Sequence, residues 1–105
     1  MVVYFIANYT VTDQAKYDEY SAAGQGVIGP LMATGQAKML VYASGDYKGV
    51  KEGDPQDRLI VIEFESREIA ENWYNSEGYS SLVKMRQDAT ENAWVVITDK
   101  FSFPS

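Results

Sequence analysis

The sequence predicts an α+β fold in which four strands and two helical segments follow the order β-α-β-β-α-β. Three observations support this prediction: four short stretches are rich in β-branched and aromatic residues, two others repeat apolar residues at helical spacing, and the 105-residue length suits one domain. This order is the split βαβ, or ferredoxin-like, arrangement around an antiparallel four-stranded sheet. We therefore expect residues 1–105 to form a single ferredoxin-like domain.

The first half of the chain contains two predicted strands on either side of a long helical segment. Residues 2–7 and residues 39–43 are the strands, and either Thr12 or Asp13 is placed to cap the helix between them. Glycines and Pro30 weaken this helix, so we expect it to be split or kinked near the proline. The residues at helical spacing are Tyr17, Tyr20, Gly24, Val27 or Ile28, and Leu31.

The second half repeats the pattern of strand, helix and strand after a turn-rich loop, residues 45–57. Residues 59–64 are the clearest strand of the chain, and residues 94–97 are the last one. Ser66 is placed to cap the second helical segment, which residues 76–78 interrupt. The two halves together complete the predicted order.

The strands are apolar on both faces, whereas two helical segments cover only one face of a sheet. In the first strand Phe5 lies on one face and Ile6 on the other, and the third and fourth strands repeat this pattern. We therefore expect a second copy of the chain to cover the remaining face in a two-fold homodimer. The alternative is that short β-branched strands are apolar on both faces through propensity alone. Phe101 and Phe103 alternate as in a strand, and we expect them to extend the fourth strand or to lie across the partner subunit.

The composition excludes several kinds of chemistry. The chain has no histidine and no cysteine, so it has no imidazole acid or base, thiol nucleophile, disulfide, or histidine or thiolate metal site. We expect no metal and no cofactor, and any proton transfer must use Asp, Glu, Tyr or Lys. A net charge of −6 and dispersed cations argue against nucleic-acid and membrane partners. The longest apolar stretch, residues 2–7, is too short to span a bilayer and has no signal-peptide pattern, so we expect a cytoplasmic protein.

One long stretch has a recognisable pattern: residues 58–64, followed by Ala70, residues 73–76 and Tyr79. This stretch resembles the domain-of-unknown-function 1330 family, and the resemblance extends over nearly the whole chain through residues 4–7, Asp13, Tyr17, Tyr20, residues 52–55 and Arg86. The resemblance implies a ferredoxin-like subunit that pairs as a dimeric α+β barrel, and it implies no activity. The wider superfamily includes cofactor-free monooxygenases, haem-degrading enzymes, isomerases and plain binding domains, so the fold leaves the function open.

Two charged residues are the first candidates for a ligand-binding site. Glu63 lies in an aliphatic strand, and Arg86 lies on or beside the apolar stripe of the last helix. A buried arginine usually has a carboxylate partner, so we expect Glu63 or another acid near the sheet to pair with Arg86. Such a pair would either stabilise the fold or provide a carboxylate base and a cation for an acidic ligand at the barrel opening.

Three further residues are candidates for the border of a pocket. Arg58 begins the third strand beside the long loop, either as a solvated cation or as an anion clamp. Tyr74 lies on a helix face next to that of Trp73, which its helical spacing places in the core. Asn8 ends the first strand and is positioned to line the pocket together with Tyr9.

Residues 24–29 match the pattern G-x-G-x-x-G literally. Dinucleotide binding requires these glycines between a strand and the start of a helix, whereas here they follow a helical segment and precede Pro30. We therefore interpret the glycines as a helix end or kink that allows close packing.

Two functions remain open from the sequence. Fourteen aromatic residues with few polar groups among them favour a homodimer that binds a small apolar or aromatic molecule, with at most cofactor-free proton transfer or oxygenation. The alternative is a non-catalytic structural or dimerisation module whose aromatic residues only form its core. An enclosed pocket of at least ~300 Å³, reached by candidates such as Arg86, would favour the first function.

Overall fold

The computed structural model describes residues 1–45 and 49–102. In this part of the chain the elements are β1 Val3–Val11, α1 Gln14–Ala33, β2 Ala37–Ser44, β3 Arg58–Phe64, α2 Arg67–Tyr74, α3 Glu77–Ala89 and β4 Thr90–Asp99. The strands form one antiparallel sheet in the order β2-β3-β1-β4. This architecture is α+β and ferredoxin-like, and it confirms the predicted fold. Phe103 and the middle of the predicted loop, residues 46–48, lie outside the described residues.

Each helix begins at a side chain that accepts a hydrogen bond from the backbone N–H three residues later. Asp13 Oδ1 accepts at 3.1 Å at the start of α1, and Ser66 Oγ accepts at 3.2 Å at the start of α2. Both caps agree with the sequence prediction. The predicted interruption at residues 76–78 is the start of α3, where Ser76 Oγ accepts from the N–H of Tyr79 at 3.2 Å.

α1 is one continuous helix, so the predicted split near Pro30 and the interpretation of the glycines as a helix end are wrong. Tyr17 and Ile28 are buried, and tertiary packing of this kind outweighs the weak helix propensity of glycine and proline. Near the end of the helix, the hydroxyl of Thr34 donates to the carbonyl of Pro30 at 3.3 Å. Neither α1 nor any other helix in the described part of the chain is long and apolar enough to cross a membrane.

The core lies between the helices and one face of the sheet. Trp73 of α2 lies in this core, with its ring centroid 5.0 Å from that of Phe5, 5.2 Å from that of Phe64 and 4.3 Å from that of Tyr79. Its ring meets the Phe5 ring edge to face, which is a favourable aromatic geometry. The structure therefore confirms Trp73 as a core residue.

The opposite face of the sheet is apolar and is not covered by any described helix. The strand register aligns Ile6 with Val61 and Val96, and Val61 with Val41, so one aliphatic row crosses all four strands. In that row Val41 is 37% exposed and Val96 is 46% exposed, and nearby Trp94 is 47% exposed. Both faces of the sheet are therefore apolar, as the sequence indicated.

The chain leaves the sheet soon after β4. The N–H of Lys100 donates to the carbonyl of Val2 at 3.1 Å, and Phe101 lies beyond the strand with its side chain exposed. The expected extension of β4 by Phe101 is therefore wrong, because β4 ends at Asp99. Its expected position across a partner subunit stays a prediction.

Candidate functional site

A cavity of about 670 Å³ lies between α1 and the sheet. β1 contributes Phe5 and Tyr9 to its floor, and α1 contributes Gly24 and Ile28 to its roof. Arg86 of α3 also lines it. The space therefore lies within a single chain, on the helix-covered side of the sheet.

The mouth of the cavity lies between α1 and β2, where the side chains that line it are exposed. These side chains are Gln25 of α1 and Met39 and Tyr42 of β2. Gly24 and Gly29 form the neighbouring part of the roof, and a Cβ added to either one would meet no surrounding atom within 4 Å. Both glycines therefore line the cavity with backbone atoms only.

Tyrosines dominate the polar part of the wall. The hydroxyl oxygens of Tyr9 and Tyr17 are 2.8 Å apart, and those of Tyr20 and Tyr79 are 2.6 Å apart. The Tyr17 hydroxyl also lies 3.4 Å from that of Tyr42 at the mouth. A chain of hydroxyl groups therefore leads from the buried Tyr9 to the exposed Tyr42.

These tyrosines are neutral at neutral pH, and burial moves their ionisation to still higher pH. Burial raises the pKa of Tyr9 to about 12, and it also raises the pKa of Tyr79 above its ordinary value. Burial raises the pKa of Tyr17 and of Tyr20 as well, and repulsion from the hydrogen-bonded partner adds to the rise in both. The cavity therefore presents neutral hydroxyl groups to a ligand.

Arg86 places a positive charge on the wall of the cavity. The residue is only 3% exposed, and its guanidinium carbon lies 5.8 Å from the centre of the Tyr9 ring. Its Nε and Nη1 atoms are buried without a hydrogen-bond partner among the described residues. The cavity lining given by residues 1–45 and 49–102 includes no Asp or Glu, so this charge is not neutralised there.

Trp73 contributes a second buried donor to the same wall. Its Nε1 has no hydrogen-bond partner in the described part of the chain, and its ring lines the cavity. Indole and guanidinium nitrogens only donate hydrogen bonds. Buried polar groups in native proteins are nearly always paired, so unpaired donors of Trp73 and Arg86 at one cavity indicate a place for an acceptor.

Comparison with known families identifies the chain. The family model described as domain of unknown function (DUF1330) matches residues 2–100. The chain belongs to this family. The match confirms the resemblance seen in the sequence and assigns no activity to the DUF1330 chain. No curated protein matches the sequence.

Solved structures similar to this DUF1330 chain agree with its fold. A protein of unknown function from Rhodopseudomonas palustris is 14% identical with a TM-score of 0.72, over 96% of this chain and 83% of that one. Hydroxynitrile lyase from Passiflora edulis is 18% identical with a TM-score of 0.69, over 98% of this chain and 97% of that one. A dimeric protein of unknown function and ferredoxin-like fold from Bacteroides fragilis is 12% identical with a TM-score of 0.57, over 94% of this chain and 96% of that one. At these identities the similarity shows the fold alone.

Glu63 and Arg86 do not meet in the DUF1330 chain. Glu63 lies between Ile62 and Phe64, which are both buried under the helices, so its own side chain projects from the opposite face of the sheet. The expected pairing of Glu63 with Arg86 is therefore wrong, because the sheet separates the two side chains. The ion pairs in the described part of the chain use other cations.

Arg58 packs beside the cavity and does not line it. Its guanidinium carbon lies 5.5 Å from the centre of the Tyr17 ring. Its Nη1 lies 3.9 Å from Asp57 Oδ2, and its Nη2 donates to Gln14 Oε1 at 3.4 Å. These contacts hold the Arg58 side chain against Tyr17, which lines the cavity. The position of Arg58 therefore does not support its predicted role as an anion clamp.

Asn8 anchors the loop that leads into β3. Its Nδ2 donates to the carbonyls of Gln56 at 3.2 Å and Arg58 at 2.7 Å, and its Oδ1 accepts from the N–H of Gln56 at 3.1 Å. Asn8 also borders a second concavity of about 790 Å³ on the open face of the sheet, beside Trp94 and residues 49–56. Asn8 therefore lies on the opposite side of the sheet from Arg86.

Tyr74 packs against the aromatic residues of the cavity wall but does not itself line the cavity. Its ring centroid lies 6.1 Å from that of Phe5, 6.0 Å from that of Trp73 and 5.5 Å from that of Tyr79. All three of these neighbours line the cavity, whereas Tyr74 is not part of the lining. Of the residues predicted for the site, Arg86 and Tyr9 line the cavity within the described chain.

Tyr17 and Tyr20, the tyrosines of the roof, are site residues that the sequence did not identify. Tyr17, Tyr20, Gly24 and Ile28 share one face of α1, and that face lines the cavity. The signal that could have identified them is a glycine between large residues on the buried face of a helix. A packed helix face normally has a side chain at such a position, and its absence creates a void.

Proposed function

We propose that this protein is a homodimeric small-molecule-binding protein that takes a small apolar or aromatic ligand into the cavity between α1 and the sheet. The observation that carries the proposal is the cavity itself, whose volume is about 670 Å³. Ligand pockets in proteins have volumes of about 300–1,000 Å³ and combine apolar walls with a few polar groups. The cavity of this chain matches that description in size and in chemistry.

The alternative, a module whose aromatic residues only fill its core, fits the packing less well. Protein interiors are close-packed, with few voids larger than a water molecule. Here Gly24 and Gly29 line the space without a side chain, and exposed residues such as Gln25 lie at its mouth. A chain selected only for stability gains from filling such a space, because cavities in a core are destabilising.

The open face of the sheet supports the homodimer part of the proposal. The aliphatic row that includes Val41 and Val96, with Trp94 beside it, is an exposed apolar surface of the kind that marks an interaction site. A second copy of the same surface covers it in a closed two-fold arrangement. The Bacteroides fragilis protein with a similar fold is described as dimeric, which is in line with this assignment.

The cavity favours binding over catalysis in this proposal. Its described lining offers tyrosine hydroxyls and one guanidinium, and no carboxylate that would act as a general base. Cofactor-free proton transfer is the reaction class to consider second, and the similar fold of hydroxynitrile lyase shows only that such a fold accommodates an enzyme. In this chain such a transfer would use the hydroxyl chain from Tyr9 to Tyr42.

A thermal-shift screen with small aromatic compounds tests the binding function. A compound at 100 times its dissociation constant adds about 2.7 kcal/mol to the free energy of unfolding. Gly24→Leu should abolish this stabilisation, because a leucine at that position fills the cavity. Gly26→Leu is the matched control, since Gly26 lies on the same helix with no place in the cavity lining. Stabilisation that survives in Gly24→Leu, or a screen without any stabilising compound, would contradict the proposal.

A further inference from the structure

We propose that the ligand of this cavity is a small organic anion, with a carboxylate or similar oxyanion bound by Arg86 and an apolar body against the aromatic wall. This inference rests on the proposed binding function, to which it adds the charge and the chemical class of the ligand.

An unpaired charge is costly in a buried position. Arg86 is only 3% exposed, and the guanidinium group of arginine is positively charged in proteins. Buried charges in proteins are usually paired. An unpaired buried charge loses its hydration, and no ion pair or hydrogen bond offsets that cost. The described residues that line the cavity include no carboxylate, so the compensating negative charge is best supplied by what enters it.

The hydrogen-bonding groups left unpaired beside this charge are all of one kind. Arg86 and Trp73 line the cavity, and Nε and Nη1 of Arg86 and Nε1 of Trp73 are buried without a hydrogen-bond partner within the part of the chain that the structure describes. All three are donors without acceptor capacity. A carboxylate is an acceptor with two oxygens and binds guanidinium groups through short, charge-assisted hydrogen bonds. An oxyanion therefore offers Arg86 and Trp73 the acceptor that they lack, whereas a ligand that only donates offers none.

The contact between Arg86 and the Tyr9 ring does not replace this partner. Its 5.8 Å separation is within the range of a cation–π interaction. That interaction lowers the cost of the charge but leaves the two N–H groups of Arg86 without an acceptor. The Tyr9 hydroxyl is itself already engaged with Tyr17 at 2.8 Å.

The rest of the lining determines the body of the ligand. Phe5, Ile28 and Ile62 line the same space as Arg86 and offer only apolar surface. Burial of apolar ligand surface against them favours binding. The cavity therefore fits a molecule with one charged end and an apolar or aromatic remainder.

Matched pairs of compounds test the inference on the unmodified protein. Cinnamate and phenylacetate are compared with cinnamamide and phenylacetamide, which have nearly the same shape and no charge. We expect each carboxylate to bind at least tenfold more tightly than its amide, measured by calorimetry at neutral pH. Equal affinities within both pairs would overturn the inference and leave the proposed binding function standing. No binding by any of the four compounds would count against both.

Two arginine variants assign the preference to Arg86. In Arg86→Gln the tenfold preference for carboxylates should disappear, while the amides keep their affinity. Arg67→Gln is the control, because Arg67 is a surface arginine that pairs with Asp99 at 2.8 Å. An unchanged preference for carboxylates in Arg86→Gln would overturn the inference. If Arg86→Gln does not fold, the comparison of carboxylates with amides on the unmodified protein still decides the ligand class.

Discussion

The hydroxyl oxygens of Tyr9 and Tyr17 lie 2.8 Å apart, one contributed by β1 and the other by α1. Both residues are nearly fully buried, so this hydrogen bond joins the floor and the roof of the cavity in a water-poor environment. The Tyr17 hydroxyl continues to Tyr42 at 3.4 Å. The distance between the helix and the sheet at this point is therefore fixed by polar contacts as well as by packing.

Replacing Tyr17 with Phe should destabilise the protein by about 1–2 kcal/mol. The variant keeps the ring but removes the hydroxyl that serves both Tyr9 and Tyr42, and it leaves the buried Tyr9 hydroxyl unpaired. Urea unfolding measures the change in the free energy of unfolding. Tyr42→Phe is the control and should change it by less than ~0.5 kcal/mol, because Tyr42 is half exposed. Equal effects of the two variants would show that the Tyr9–Tyr17 bond adds little.

The protein should lose stability as the pH rises above about 10. An unfolded tyrosine ionises with a pKa of about 10, whereas burial holds the pKa of Tyr9 at about 12 and raises those of Tyr17, Tyr20 and Tyr79. Between these values the unfolded chain has released protons that the folded chain retains, so each such tyrosine lowers the free energy of unfolding by about 1.4 kcal/mol per pH unit. Below the unfolded pKa this contribution is complete.

Urea unfolding at about pH 9, 10 and 11 measures that slope. Tyr9→Phe should reduce the slope between pH 10 and pH 11, because one titrating group is removed from the folded core. A free energy of unfolding that stays constant across this range would contradict the burial of the tyrosines.

Trp94→Glu should convert the proposed homodimer into monomers. Trp94 lies on the open face of the sheet and is 47% exposed in a single chain, so a homodimer through this face would bury a charge introduced there. Sedimentation equilibrium at micromolar concentration measures the change in mass. Trp94→Phe is the conservative control and should remain dimeric. A folded monomer of the unmodified protein under the same conditions would disprove the assignment of this face.

Asn8→Ala should cost about 2 kcal/mol without changing ligand affinity. The substitution leaves the N–H of Gln56 and the carbonyl of Arg58 without the amide that now pairs with them. Asn8 lies across the sheet from Arg86, so the cavity keeps its lining. Chemical denaturation measures the stability, and calorimetry with the carboxylate that binds best measures the affinity. A loss of affinity comparable to the loss of stability would contradict the purely structural role of Asn8.

The order of elements and the caps followed from the sequence because they depend on local patterns. Asp13 and Ser66 are cap residues whose role requires only the next few positions. Pro30 was misleading because packing across the domain, and not local propensity, decides whether a helix continues. Local signals therefore predicted where α2 begins and where α1 begins, but not that α1 runs through its proline.

The candidate site was predictable only in part, because the strands are apolar on both faces. Alternation places Glu63 on the face opposite Ile62, but only the structure shows which face the helices cover. Arg86 was found from its position on an apolar helix stripe, which depends on one element alone. The tyrosine pairs join residues up to 59 positions apart, as Tyr20 and Tyr79 are, and no local pattern encodes such contacts.

The glycines of α1 have one consequence for the family. Gly24 and Gly29 line the cavity without a side chain. In the described structure, no surrounding atom lies within 4 Å of a Cβ added to either residue. A relative with a larger residue at either position would keep the same sheet, caps and aromatic floor while admitting smaller molecules. Diversity in ligand size among homologues would then arise on a single helix, at two sites whose exchange leaves the architecture intact.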